Sequence, residues 1–163
     1  MTIWYDFSNT PHVHFLAPIY KHLSQYYNSI ITARDFAETV FLLNKKEYNF
    51  KVYGGYHGGN KIKKFLGLLY RDLILMKKIP NYDISITCGG ENATHVSKIR
   101  HKKSITFDDN DISPNWLYSH FADYLFFPQC IGLEKIMHRE KIRSDKIYLY
   151  DGYHSAVNIC YLC

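Results

Sequence analysis

The sequence IWYDFSNTPHVHF at residues 3–15 decides how this chain folds. An apolar run predicts a first strand, and the residues behind it predict a loop that opens a helix. Thr10 is suited to the N-cap and Pro11 to the first helical position, because proline lacks the donor that this position leaves unpaired. Ligands of α/β proteins usually bind where such strands end. Since Asn9 and two histidines follow the strand, we expect a binding site here.

Apolar runs of strand length alternate with helical patterns along the chain, which predicts βαβ units and a parallel sheet. The predicted strands span residues 2–7, 28–33, 50–53, 83–88, 104–108 and 123–127, with a short seventh at 146–149. The predicted helices span residues 11–26, 35–46, 60–79, 91–101, 114–121 and 131–140. Right-handed crossovers favour a single Rossmann-like, doubly wound α/β sheet of six or seven strands in the order 3-2-1-4-5-6.

The longest predicted helix carries an apolar stripe at three- and four-residue steps. We expect this stripe to pack on the sheet; its members are Ile62, Phe65, Leu66, Leu69, Leu73 and Met76. The same helix begins with Lys61, Lys63 and Lys64, which form either an ordinary solvated face or a surface for weak peripheral contact with acidic lipids.

Composition narrows the class of protein. The 163 residues are 47% hydrophobic, which suits one domain with a substantial core. The net charge of +5 is spread along the chain, which argues against nucleic-acid binding. The start lacks the features of a signal peptide, so we expect a cytoplasmic protein. The cysteines are scattered, and the single pair at 160 and 163 does not make a zinc site. No metal or cofactor is therefore indicated.

Histidine chemistry is expected at the start of the first helix. His12 and His14 point about 200° apart on a helix, so only one can face the site squarely. We favour His12 as the catalytic candidate; in the alternative interpretation it is only a packed or surface histidine. Asn9 and Thr10, with the free amides of the helix start, could bind an anion or a sugar hydroxyl.

Two glycine-rich segments follow predicted strands three and four. Residues 54–59, GGYHGG, contain His57 as a catalytic candidate and Gly58 as a ligand contact, or else form a flexible turn. The spacing matches neither the dinucleotide fingerprint nor the phosphate loop. In residues 88–92, CGGEN, Gly89 and Gly90 would let a ligand approach the helix amides. For Glu91 we favour a capping role over catalysis.

Charged side chains follow two further strands. Asp108 and Asp109 are adjacent carboxylates whose repulsion could raise one pKa and supply a general base, with Asn110 beside them as a ligand contact. The alternative is an acidic loop that caps the next helix. Arg34 could pair with a phosphate or carboxylate ligand, or bridge to Asp35.

Five segments together resemble one prokaryotic family, catalogued as domain of unknown function 354. They are residues 3–15, TARDFA at 32–37, HGG at 57–59, FDDN at 107–110 and YDG at 150–152. Members of that family look like GT-B glycosyltransferases and the related nucleotide-sugar 2-epimerases. Residues 88–91, CGGE, depart from the His- or Ser-containing glycine turn that is usual there.

The resemblance implies the N-terminal, acceptor-side half of a two-domain GT-B fold. Residues 1–155 would form the Rossmann-like domain, and residues 156–163 a tail where a second domain would begin. The implied function is glycosyltransferase-like or epimerase-like processing of a nucleotide sugar or glycan, with the half-cleft alone expected to be inactive. A non-catalytic nucleotide- or partner-binding module, or a truncated remnant, is the alternative. Self-association or a separately encoded C-terminal half would then complete the cleft.

Overall fold

A parallel sheet organises the computed structural model, which describes residues 1–55, 61–108 and 116–151. Its strands are β1 (Thr2–Phe7), β2 (Asn28–Asp35), β3 (Lys51–Gly55), β4 (Ile84–Cys88), β5 (Lys103–Phe107), β6 (Tyr124–Pro128) and β7 (Ile147–Tyr150). They pair in the order β3-β2-β1-β4-β5-β6-β7, and every neighbouring pair is parallel. The predicted α/β fold and the predicted strand order are confirmed.

The helices that connect these strands lie on both faces of the sheet. They are α1 (Thr10–Leu23), α2 (Thr39–Lys45), α3 (Lys61–Lys78), α4 (Glu91–Ile99), α5 (Trp116–Ser119) and α6 (Leu133–Glu140). Because β1 is central, both of its faces are covered. Ile3, Tyr5 and Phe7 pack with α1, while Trp4 packs in a second cluster with residues of α3 and α4.

The start of α1 differs from the prediction by one residue. Asn9, not Thr10, is the N-cap: its backbone is extended and its side-chain oxygen accepts a hydrogen bond from the Thr10 amide at 2.8 Å. Asn9 is the N-cap because its short side chain can accept a hydrogen bond from an amide at the start of the helix. The Thr10 hydroxyl instead accepts a hydrogen bond from the Glu38 amide at 3.1 Å, which ties α1 to the residue before α2.

The apolar stripe of α3 does not pack on the sheet, so that prediction is wrong. Gly67, Arg71 and Leu75 are buried, whereas five members of the stripe are exposed: Ile62, Phe65, Leu66, Leu69 and Leu73. Only Met76 is partly buried against the core. Periodicity identifies an apolar face without showing which way it turns. Here the buried contacts of Arg71 turn it outward.

A close contact at the start of α4 yields a stability prediction. A Cβ on Gly90 would lie 2.0 Å from Thr87 Oγ1 and 3.0 Å from Thr87 Cβ. Gly90→Ala should therefore lower the free energy of unfolding by about 1–3 kcal/mol, measured by urea denaturation. Gly55→Ala is the control, since its Cβ would meet the Asp35 carbonyl at an ordinary 3.6 Å. Equal effects of the two substitutions would contradict this account.

Candidate functional site

The carboxyl ends of the parallel strands share one edge, and the described site candidates follow the strands at that edge. We call this set the carboxyl-edge site: Asn9, Thr10, His12, Arg34, Gly89, Gly90 and Asp108. Asn9 and His12 follow β1, Arg34 lies near the end of β2, the two glycines follow β4, and Asp108 follows β5. The candidates His57, Gly58, Asp109 and Asn110 lie outside the described residues and stay predictions.

His12 lies in the first turn of α1 and is partly exposed. Its Nδ1 is 3.1 Å from the Ser8 hydroxyl, on the loop between β1 and α1. This contact orients the ring, and the proton's position depends on which partner donates. If the ring donates from Nδ1, Nε2 is basic; if the hydroxyl donates, Nε2 carries the proton. Either state allows acid–base chemistry at the start of the helix.

Arg34 is held near the end of β2 by backbone and ring contacts. Its Nε donates to the Gly55 carbonyl at 3.1 Å, and its guanidinium lies 5.6 Å from the centre of the Phe36 ring. Burial and the nearby cation of Arg71 lower the pKa of Arg34, while Glu91 and Asp6 oppose that change. Arginine nevertheless keeps its charge in proteins. Arg34 thus presents a half-buried, oriented cation at the site.

Gly89, Gly90 and Glu91 connect β4 to α4. Gly89 has a φ of +50°, and its amide donates to the Phe107 carbonyl at 2.9 Å. Glu91 occupies the first turn of α4, where the helix dipole favours a negative charge. Burial nevertheless raises the pKa of Glu91, although its own backbone amide and the charges of His95, Arg34 and Arg71 favour the charged form. A carboxyl group with a raised pKa is suited to proton transfer, a role that the sequence alone did not favour.

Asp108 is buried at the end of β5. Its Oδ2 accepts a hydrogen bond from the Tyr118 hydroxyl on α5, and its amide donates to the Phe126 carbonyl at 2.9 Å. These contacts hold Asp108 against α5 and β6. Asp108 therefore places a hydrogen-bonded carboxylate in a fixed position at the end of β5.

A buried ion pair, which sequence reasoning missed, lies behind the site. The Arg71 guanidinium donates from Nη2 to Asp6 Oδ1 at 2.7 Å and from Nη1 to Asp6 Oδ2 at 2.9 Å. Arg71 Nε donates to the Tyr53 carbonyl at 2.8 Å. Thr32 donates to Asp6 Oδ1 at 2.6 Å and accepts from the Trp4 indole at 2.8 Å. The pair thereby links β1, β2 and β3 to α3.

The buried contacts continue across α4 to α5. Asn92 accepts from Arg71 Nη1 at 2.9 Å and donates to Asp72 Oδ1 at 2.7 Å. His95 Nδ1 lies 3.0 Å from Asp72 Oδ2, and its Nε2 lies 2.8 Å from the Leu117 carbonyl. Both ring nitrogens face acceptors, which favours the imidazolium. Burial opposes that charge most strongly, but the Asp72 and Leu117 contacts and the charges of Asp72 and Glu91 together raise the pKa of His95.

One sequence signal could have found this buried ion pair. Asp6 is a carboxylate inside the apolar run IWYDF, and a charge in a central strand requires a buried partner. That the partner is Arg71 follows only from the packing of α3.

Residues 1–55, 61–108 and 116–151 contain neither a cluster of candidate metal ligands nor a candidate membrane span. No group of three or more His, Cys, Asp or Glu side chains there could hold a metal ion. Among these same residues, no helix is long and apolar enough to cross a bilayer.

Comparisons with known proteins agree with the fold. The model of a family described as "Protein of unknown function (DUF354)" matches residues 1–160. No curated protein sequence matches the chain. Several solved structures share the fold, and the chain spans about half of their length.

Two of these structures are UDP-GlcNAc 2-epimerases. The enzyme from Methanocaldococcus jannaschii is 17% identical, with 91% of this chain and 45% of that chain covered and a TM-score of 0.67. The enzyme from Neisseria meningitidis, bound to UDP-GlcNAc, is 13% identical. The match covers 99% of this chain and 50% of that chain, with a TM-score of 0.69. A third structure is Phytolacca americana UGT2 complexed with UDP-2fluoro-glucose and pterostilbene, which is 10% identical. The match covers 93% of this chain and 53% of that chain, with a TM-score of 0.56. At these identities the likeness shows the fold.

The buried ion pair yields a prediction with a matched control. Arg71→Met should lower the free energy of unfolding by about 3–5 kcal/mol, because it leaves Asp6 charged and buried without its partner. Arg143→Met removes an exposed arginine that also pairs with a carboxylate, on Asp145, and should leave stability nearly unchanged. Urea denaturation of both variants measures the difference. Similar losses in both would contradict a special role for the buried pair.

The raised pKa of His95 predicts a pH-dependent contribution to stability. A histidine whose pKa is higher in the folded state stabilises fully below its unfolded pKa of about 6.5, and this contribution is lost as the pH rises through the folded pKa. The free energy of unfolding of the unmodified chain, relative to His95→Gln, should therefore fall as the pH rises from about 6.5 through the raised pKa of His95 in the folded state. Asp72→Asn should remove most of this fall. If the difference in free energy of unfolding between the unmodified chain and His95→Gln did not change with pH, the raised pKa of His95 would be contradicted.

Proposed function

The chain belongs to the DUF354 family, and on that premise we propose that it forms the N-terminal, acceptor-side half of a GT-B-like glycosyltransferase or nucleotide-sugar-processing protein, with one side of the ligand cleft at its carboxyl-edge site. Support comes from the carboxyl-edge site, where an oriented cation in the last residues of β2 lies at the same edge of the sheet as the helix start and the partly exposed histidine that follow β1. It comes also from the fold, since solved proteins that share it are UDP-GlcNAc 2-epimerases and a protein complexed with a UDP-sugar analogue.

Arg34 is the observation that carries the proposal. Its guanidinium is oriented by the Gly55 carbonyl and the Phe36 ring, and it lies at the end of a strand next to β1. A half-buried guanidinium is suited to phosphate because its donors match the oxygens of the anion. The positive end of the α1 helix dipole favours negative charge at the end of the neighbouring strand. We therefore assign the diphosphate or another acidic group of the ligand to this region.

Proton transfer falls to His12 and Glu91 in this proposal. His12 is oriented by Ser8 and is partly exposed, so a bound sugar hydroxyl could approach it. Burial raises the pKa of Glu91, which brings that carboxyl group closer to the range in which it can act as an acid at neutral pH. Asp108, held by the Tyr118 hydroxyl, is proposed as a further catalytic candidate, together with His57 and Asp109, which lie outside the described residues. Gly58, Gly89, Gly90 and Asn110 are proposed as ligand contacts.

A half-cleft is proposed to bind its ligand weakly and to turn it over only when a second domain is present. The domain boundary near residue 155 belongs to the same proposal. The alternative, a binding module without catalysis, is distinguished by whether turnover appears once a second half is supplied.

The proposal is tested by titrating the chain with UDP-GlcNAc and UDP while recording amide chemical shifts by NMR. We expect shifts concentrated at the ends of β1, β2 and β4, and at least tenfold weaker binding for Arg34→Gln, since the loss of one charge-assisted contact costs about 1.5–3 kcal/mol. The control is Arg143→Gln, which replaces an exposed arginine outside the carboxyl-edge site. This variant should bind the nucleotides as tightly as the unmodified chain.

Catalysis is tested separately, by fusing the second half of a DUF354 relative to this chain. His12→Ala and Glu91→Gln should each reduce turnover of the nucleotide sugar by at least tenfold, whereas His22→Ala in the last turn of α1 should not. Binding without any turnover would leave the module interpretation. No shifts with either nucleotide, in a folded chain, would reject the proposed function.

A further inference from the structure

The outward face of α3 is an apolar surface that lies opposite its buried face. We define the α3 stripe as Ile62, Phe65, Leu66, Leu69, Tyr70 and Leu73, whose exposed fractions range from 42% to 69%. Their spacing places them on one side of the helix over three turns. Single exposed apolar residues are ordinary, but six large ones on one helix face mark an interaction surface.

The charges on α3 distinguish between possible partners. The helix sequence contains six basic residues and one acid, Asp72, which is buried and contacts His95. Lys63, Lys64, Lys77 and Lys78 are exposed. Lys63, Tyr70 and Lys77 are seven residues apart and so form one line along the edge of the α3 stripe. The exposed charge next to the apolar surface is therefore entirely positive among the described side chains of this helix.

A second copy of the chain would meet this charge unfavourably. Stripe-to-stripe packing would gather the lysines of two helices around one interface, and neither helix has an exposed acid to oppose them. An anionic lipid surface offers the opposite charge and also an apolar layer for the stripe. We propose that α3 docks the protein on the surface of an anionic membrane, with the α3 stripe in the interfacial layer and the lysines on the lipid phosphates. This proposal does not depend on the proposed function.

The test uses the full chain and sedimentation with vesicles of phosphatidylcholine, with or without 30% phosphatidylglycerol. Binding should be at least tenfold stronger to the anionic vesicles, since each lysine near such a surface contributes about 1 kcal/mol. Lys63→Glu/Lys77→Glu should lose at least tenfold in binding. Lys45→Glu/Lys46→Glu is the matched control, because it changes the net charge equally at two exposed positions, the last residue of α2 and the residue after it. It should lose less than threefold in binding.

The apolar contribution is tested by a second pair of variants. Leu69→Asp should reduce vesicle binding at least fivefold, whereas Phe41→Asp, at an exposed position on α2, should not. Circular dichroism checks that all variants are folded. Equal binding to both vesicle types, or equal losses in the two charge variants, would overturn the proposal. A failure to bind either kind of vesicle would also overturn the proposal. If light scattering then showed a dimer that Leu69→Asp disrupts, the α3 stripe would be an interface between two copies of the chain.

Discussion

The ion pair between Arg71 and Asp6 is the interaction on which the arrangement of this protein depends. Both side chains are buried, so their charges lose hydration when the chain folds. Hydrogen bonds from Thr32, to the Tyr53 carbonyl and to Asn92 offset that loss, since they satisfy most of the polar atoms of the pair. Such a cluster is stable only with all its members in place, and this requirement determines how α3 lies on the sheet.

The orientation of α3 has consequences on both of its sides. Inside, Arg71 packs so closely on β3 that a Cβ on Gly54 would lie 3.0 Å from Arg71 Cδ, and Gly54 itself has a φ of +78°. The charge of Arg71 also influences Arg34 and Glu91, so the buried pair contributes to the electrostatics of the carboxyl-edge site. Outside, the same rotation leaves the α3 stripe in contact with solvent. The ion pair between Arg71 and Asp6 thus accounts both for the buried charges beneath α3 and for the exposed apolar residues of the α3 stripe.

The site itself follows from the direction of the strands. Because all neighbouring strands are parallel, loops that are distant in sequence meet at one edge, where helix starts and oriented side chains can act together. Half of the length of the solved relatives corresponds to one such sheet. Ser8, Gly55 and Tyr118 are not themselves candidates for the chemistry, yet they orient His12, Arg34 and Asp108. The geometry of the site therefore rests on backbone and side-chain partners outside the candidate list.

The sequence by itself determined the alternation of strands and helices, the strand order and the edge at which the candidates lie, because local periodicity and the handedness of crossovers carry that information. It also indicated that His12 follows β1, and it placed Arg34 just beyond the second strand, although β2 extends through Asp35 and includes Arg34. Only the tertiary structure decided that Asn9 caps α1, that Arg71 reaches Asp6, and that the α3 stripe faces outward. These depend on contacts between residues as far apart in the chain as β1 and α3. An apolar period is the same whichever face turns inward, so the direction is chosen by the polar partners that the folded chain brings together.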